Sequence, residues 1–240
     1  MIAFMVNAHS PSWEGHAGKS WGVLESAPIG RHTQPMRSVL AGLVALVALI
    51  LVATGAQAQT GVPEIENYIN SIRTAQARFV QSNPNGSVLQ GTLYLRKPGR
   101  MRFQYDPPSQ LKVVADGTQV TLWDPATHDF GQWPIGWTAA SFLVKEPLKL
   151  SGDITVQTLN RNADGLIEAT IVQTRKPQEG KIIVRFAENP LALRGWSIID
   201  NRGNRVDVAL TQLQTGIQLA DSLFKYDGPD AGQILNGNRN

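Results

Sequence analysis

One strongly curved, predominantly antiparallel β-sheet with helices on one face is what this sequence predicts, and three observations predict it. From Ala75 onward, apolar and polar residues alternate in short runs with the period of a half-buried strand. Turn signals separate the runs: NPNG at 83, KPG at 97, DPP at 106, DG at 116, DP at 124, ADG at 163, ENP at 188 and NRGN at 201. Helical character is confined to two places, one before the first strand and one in the middle of the chain.

The N-terminal region reads as an address rather than as fold. Residues 36 to 58, within MRSVLAGLVALVALILVATGAQAQ, supply an arginine, an apolar run from Val39 to Ala53, and Ala56-Gln57-Ala58. A basic start, a short apolar core and an A-x-A site make a secretory signal peptide cleaved after Ala58. A membrane anchor needs about 20 apolar residues, and Thr54-Gly55 ends this run sooner. A signal peptide begins at its own methionine, so residues 1–35 read as an extension upstream of a true start at Met36. Within them GHAGKS ends like a phosphate-binding loop, but Trp13 stands where that loop needs its first glycine. Residues 59–240 are then one domain, long enough to bury a core of its own.

After Pro63, Ile65, Tyr68, Ile69 and Ile72 fall on one stripe of a short helix, with Glu64 and Glu66 near its N-terminus. Strands follow near 75–82, 87–97, 100–105, 110–115, 118–124, 128–133, 153–160, 166–174, 180–187, 191–200 and 204–214, with 222–226 as an optional twelfth. Between the sixth and seventh, WTAASFLVKEPLKL at 137–150 reads as one or two short helices.

Charge and residue inventory exclude several kinds of chemistry. The 240-residue chain has a formal charge of +3, and losing Lys19, Arg31, Arg37, Glu14 and Glu25 with residues 1–58 leaves it close to neutral. RMRFQYDPP at 100–108 mixes cations and rings as a single-stranded nucleic-acid grip would. On a strand, however, Arg100, Arg102 and Gln104 point to one face and Met101, Phe103 and Tyr105 to the other. That gives one solvated face and one greasy face, with no shared stacking platform, so nucleic acid is not the expected partner. There is no cysteine, and beyond residue 58 the only histidine is His128, so metal sites of histidine and cysteine and a Ser-His-Asp arrangement lack their parts. Asp106, Asp116, Asp124 and Asp164 all stand in turn contexts that account for them. No enzymatic activity and no cofactor is expected.

The order of features resembles the LolA family of periplasmic outer-membrane lipoprotein carriers. Phe79-Val80-Gln81 is followed by GTLYLRKPGRMRFQY, a proline doublet, VVADGTQVTLWDP, a short central helix and a phenylalanine near the C-terminus at Phe224. The similarity spans most of residues 62–228 and is most specific from Gly91 to Pro125. It implies an incomplete antiparallel barrel whose mouth is covered by short helices, with an apolar cavity between sheet and lid for the acyl chains of a lipoprotein. The apolar strand faces would come from Phe79, Leu93, Leu95, Met101 and Phe103, extended by Tyr105 and Trp123, and the helix face from Phe142 and Leu143.

In that family an arginine before the proline of the second strand commonly holds the empty lid shut, and here Lys97 stands there. Lysine lacks the planar fork of arginine, and a solvated edge-strand lysine is the alternative that the sequence leaves open. The resemblance further implies a periplasmic location and a monomer. It implies acylated lipoproteins as cargo, an inner-membrane ABC lipoprotein-release complex that loads them, and an outer-membrane acceptor, either a receptor or the membrane itself. The sister receptor LolB is itself lipidated on a cysteine, which favours the soluble carrier here. A same-fold periplasmic protein for other lipids or for stress sensing is the alternative.

Overall fold

Pro63 occupies the first turn of helix α1 (Val62–Ser71), where its missing N–H costs nothing, and the Glu64 carboxylate accepts the Gly61 N–H at 3.0 Å. The computed structural model describes residues 60–138 and 141–229. The expected upstream extension, signal peptide and cleavage site lie outside the described residues. Among those described, no helix is long and apolar enough to cross a membrane.

Eleven strands follow α1 in the described residues: β1 (Thr74–Ser82), β2 (Val88–Arg96), β3 (Arg100–Tyr105), β4 (Lys112–Asp116), β5 (Gln119–Asp124), β6 (Asp129–Pro134), β7 (Ile154–Arg161), β8 (Ile167–Gln173), β9 (Gly180–Glu188), β10 (Leu191–Asp200) and β11 (Arg205–Thr215). They form one sheet in the order β6-β5-β4-β3-β2-β1-β11-β10-β9-β8-β7, with every pairing antiparallel. Two meanders are thus welded through β1 and β11. Because β6 and β7 end the order, the sheet is not closed into a barrel. Register shifts at Gln76/Arg78, Val156/Thr158 and Leu193/Gly195 mark bulges, and bulges increase local bend and twist.

The stretch expected to be helical at 137–150 contains less helix than its spacing suggested. A 3-10 turn at Ile135–Trp137 precedes a single α-turn, α2 (Ser141–Val144), and the chain then runs irregularly to β7. Leu148 and Leu150 are nevertheless buried, so burial there is achieved without helical repeat. The optional twelfth strand is a correction: Asp221–Phe224 is a 3-10 turn. Both sheet edges lie elsewhere, and this segment is drawn across the sheet by side chains instead.

The concave face carries the core. Phe79, Met101, Val120, Ile167 and Phe186 are each almost fully buried there, capped by Ile65 and Ile69 of α1 and by Phe142, Leu143 and Val144 of α2. Gly91 is required at this point: a Cβ would sit 2.1 Å from the Gln104 carbonyl oxygen and 2.8 Å from the Phe79 ring.

The convex face departs from expectation at the arginines. Arg100 and Arg102 do point away from Met101 and Phe103, but the C-terminal segment covers Arg102, while Arg100 stays partly exposed and pairs with Asp221 at 3.6 Å. Arg102 donates to the carbonyls of Leu223 (3.3 Å) and Lys225 (3.4 Å) and pairs with Asp227, which also meets Lys112 at 3.2 Å. Arg96 binds Asp221 and the Leu219 carbonyl, and its guanidinium lies 4.9 Å from the Phe224 ring centroid. The strand pattern identified the face correctly and mistook it for a solvated one, since the 219–227 segment that covers it is more than 100 residues away in sequence.

Candidate functional site

Helix α1 and the 141–150 segment act on the sheet as one piece. Asn70 donates to the Leu148 carbonyl (3.0 Å) and accepts the Leu148 N–H (2.8 Å), while Glu66 accepts the Leu150 N–H at 2.8 Å. An amide side chain presents one donor and one acceptor in a single plane, so Asn70 substitutes for a strand partner that Leu148 lacks. Arg73 and Glu146 form a further ion pair between the two segments.

Three hydrogen bonds then fasten this lid to the sheet. Gly99 N–H reaches the Val144 carbonyl at 2.9 Å, Leu193 N–H reaches the Tyr68 hydroxyl at 2.9 Å, and Lys97 Nζ donates to the Ile69 carbonyl at 2.5 Å. Lys97 is only 8% exposed, so the structure places it beneath the end of α1, away from solvent. Burial, with the Arg73 charge adding to it, pulls its ammonium down to about 8.

Under the lid is a cavity of about 20 Å³, nearly filled by the protein itself. Its walls are wholly aliphatic, including Ile69 and Ile72 from the helix end, Leu93 and Leu95 from β2, Leu143 from α2 and Leu210 from β11. Three of the residues expected at the site therefore line it directly: Leu93, Leu95 and Leu143. Met101, Phe79, Phe103, Tyr105 and Phe142 belong to the same buried cluster. Phe79 packs edge-on against Phe103 and Tyr105, with centroids 5.1 and 5.2 Å away, and Trp196 bridges Phe103 to Phe142. The Tyr105 hydroxyl donates to Gln81 Oε1 at 2.9 Å, and burial pushes its ionisation well above the usual tyrosine range.

Trp123 stands apart from this group. It follows Leu122, which faces the core, and so turns to the opposite side of β5, where its ring meets His128 at 6.2 Å. Strand alternation assigns it there, whereas the resemblance counts it among the apolar strand faces of the cavity. The lining residues Ile69 and Ile72 were legible as the stripe of a packing helix, while Leu193 and Leu210 carried no signal beyond ordinary strand periodicity. Among the described residues no group of acidic, histidine or cysteine side chains could hold a metal ion.

The chain is similar to several known proteins. Residues 70–227 match the family model described as outer membrane lipoprotein carrier protein LolA. An outer-membrane lipoprotein carrier protein of Legionella pneumophila (strain Paris) is 26% identical over 198 residues, covering 79% of this chain and 96% of the relative. One from Pseudomonas fluorescens is 25% identical over 185 residues, covering 72% and 87%. The crystal structure of an uncharacterized conserved protein from Thermus thermophilus aligns with 72% of this chain and 98% of its own, at 12% identity and a TM-score of 0.42. With its family model matched over most of the folded region, the chain belongs to the LolA family of outer-membrane lipoprotein carrier proteins.

Proposed function

We propose that this chain takes up the acyl chains of lipoproteins between its lid and the concave face of the sheet, and carries them across the periplasm from the inner to the outer membrane. The observation that carries the reading is the aliphatic cavity beneath a lid fastened by three hydrogen bonds. Burying a methylene is worth about 0.8 kcal/mol, so a long acyl chain leaves water only for a site free of polar groups. These walls present none.

A space of about 20 Å³ admits no acyl chain, so the lid must swing away on loading. In the closed state Ile69, Ile72 and Leu143 occupy the place the cargo needs. Cargo binding then exposes lid side chains that reclosure buries again, and this difference between the two states favours release at an acceptor. Lys97 acts as the latch, since its ammonium holds the last turn of α1 onto the turn between β2 and β3. Loading against this closed state falls to an inner-membrane ABC lipoprotein-release complex, and delivery to an outer-membrane receptor or the membrane itself. The chain works as a monomer without a cofactor.

The test is release of newly made lipoprotein from spheroplasts by the purified 59–240 chain. Lipoprotein is expected in the supernatant as a complex with the chain. Retention of all lipoprotein on the spheroplast membrane contradicts the reading.

A further inference from the structure

A second, much larger opening lies at the far end of the same strands. The turns at 83–87, 106–111 and 124–129 surround a cleft of about 930 Å³. The lid grips the opposite strand ends, at the 97–99 turn. Between the two spaces stand the packed rings of Phe79, Phe103 and Tyr105. Leu89, Leu111 and Leu122 form an apolar floor continuous with the core, so the cleft opens from the acyl-facing side of the sheet.

Its rim has a chemistry unlike the lid cavity. On its rim the amides of Asn83 and Asn85 are engaged within their own turn, and the Gln110 amide offers both the donor and the acceptor that a peptide backbone requires. Among the described residues three carboxylates line it, and no lysine or arginine does. Asp106 is neutralised by Arg78. Among the described residues Asp124 accepts from Ala126 N–H and Asp129 from the Thr127 hydroxyl within their own turn, and no cation pairs with either. Hydrocarbon laid here would strip water from these groups without replacing their hydrogen bonds, and an anion would be repelled.

We propose that this cleft receives the polypeptide of the cargo next to its acylated end, and that Asp124 and Asp129 favour a segment carrying lysine or arginine. The inference rests on the carrier reading above and assigns the protein half of the same ligand. Apolar side chains of the segment meet the leucine floor, its backbone meets the Gln110 amide, and its cations meet the two carboxylates.

The test uses two synthetic lipopeptides with identical palmitoyl chains on an N-terminal cysteine-serine, continued by four lysines or by four glutamates. Binding to the 59–240 chain is measured at low and high salt, beside a fluorescent fatty acid as the acyl-only probe. The lysine lipopeptide is expected to bind at least tenfold tighter at low salt. The advantage should shrink at high salt, vanish in Asp124→Asn/Asp129→Asn and shift toward glutamate in Gln110→Lys. Asparagine keeps the acceptor oxygen of each turn, so the double variant should retain the fold. The 59–240 chain is close to neutral, so attraction to its net charge does not supply a preference for the lysine peptide. Equal affinities, or a lysine preference that survives in the double variant, overturn the proposal while fatty-acid binding leaves the carrier reading standing. Failure of the fatty acid and of both lipopeptides overturns the two together.

Discussion

Lys97 brings a cation into a place that disfavours it. Its folded value of about 8 lies below the ordinary 10.5, so between these pH values the unfolded chain holds a proton that the folded chain has shed. Stability therefore rises with pH through that window, and below about 8 the cost of the buried charge is present in full. The same sign governs the lid, because an opened Lys97 returns to water. Wild type is expected to gain stability relative to Lys97→Met between pH 8 and 10, measured by denaturant unfolding at each pH. A constant difference across that range would show that the ammonium does not titrate under the lid. Met101 gives a sharper contrast. It is 1% exposed in the core cluster, so Met101→Glu should cost several kcal/mol and abolish lipoprotein release. Met101→Leu conserves volume and should cost less than about 1.5 kcal/mol, with release retained. Normal release by the glutamate variant would remove Met101 from the site. Alternation along RMRFQY was enough to place Met101, Phe103 and Tyr105 inside. It should equally have placed Trp123 outside, since Val120 and Leu122 already claim the inner face of β5.

At the scale of elements, Asn70 joins helix and loop into one lid. Asn70→Ala leaves the N–H and carbonyl of Leu148 without their partner, a loss of about 1–3 kcal/mol. Amide hydrogen exchange should accelerate in α1 and 141–150 together; acceleration in one segment alone would mean that they open separately. The segment after β11 is an element in its own right, pinned by the buried Phe224 ring and by Arg96, Arg102 and Lys112. Arg102 is nearly buried and Asp227 half exposed, so their coupling should be about 1 kcal/mol or less. Arg102→Gln is expected to raise protease sensitivity at 219–227 and leave fatty-acid binding unchanged. Loss of fatty-acid binding would tie the convex face to the acyl site. Strand positions were legible because period two and the turn residues act locally. Coverage of the arginines was not, because it depends on a tertiary path that no local pattern encodes. Of the one or two short helices expected over 137–150, the part at 145–150 is irregular for a related reason: Leu148 and Leu150 are held by Asn70 and Glu66, distant residues whose part in it leaves no periodic trace.

Across the whole molecule, the topology explains how one sheet can serve two spaces. Two antiparallel meanders joined by β1 and β11 leave β6 and β7 unpaired with each other, so the concave face stays accessible instead of being sealed inside a barrel. The lid closes one end of β1–β4, and the aromatic cluster separates it from the open cleft at the other. The curvature, single sheet and helical cover were legible from the strand count, turn chemistry and two helical stretches. A hidden cavity was not, because aliphatic residues lining a cavity and those filling an ordinary core obey the same alternation. Cross-linking with a palmitate carrying a photoreactive group at its chain end, followed by peptide mapping, tests the central claim most directly. Adducts are expected on Leu93, Leu95, Leu143 and Leu210. Adducts confined to the convex face, or a lid cavity that remains unlabelled at saturation, would contradict it.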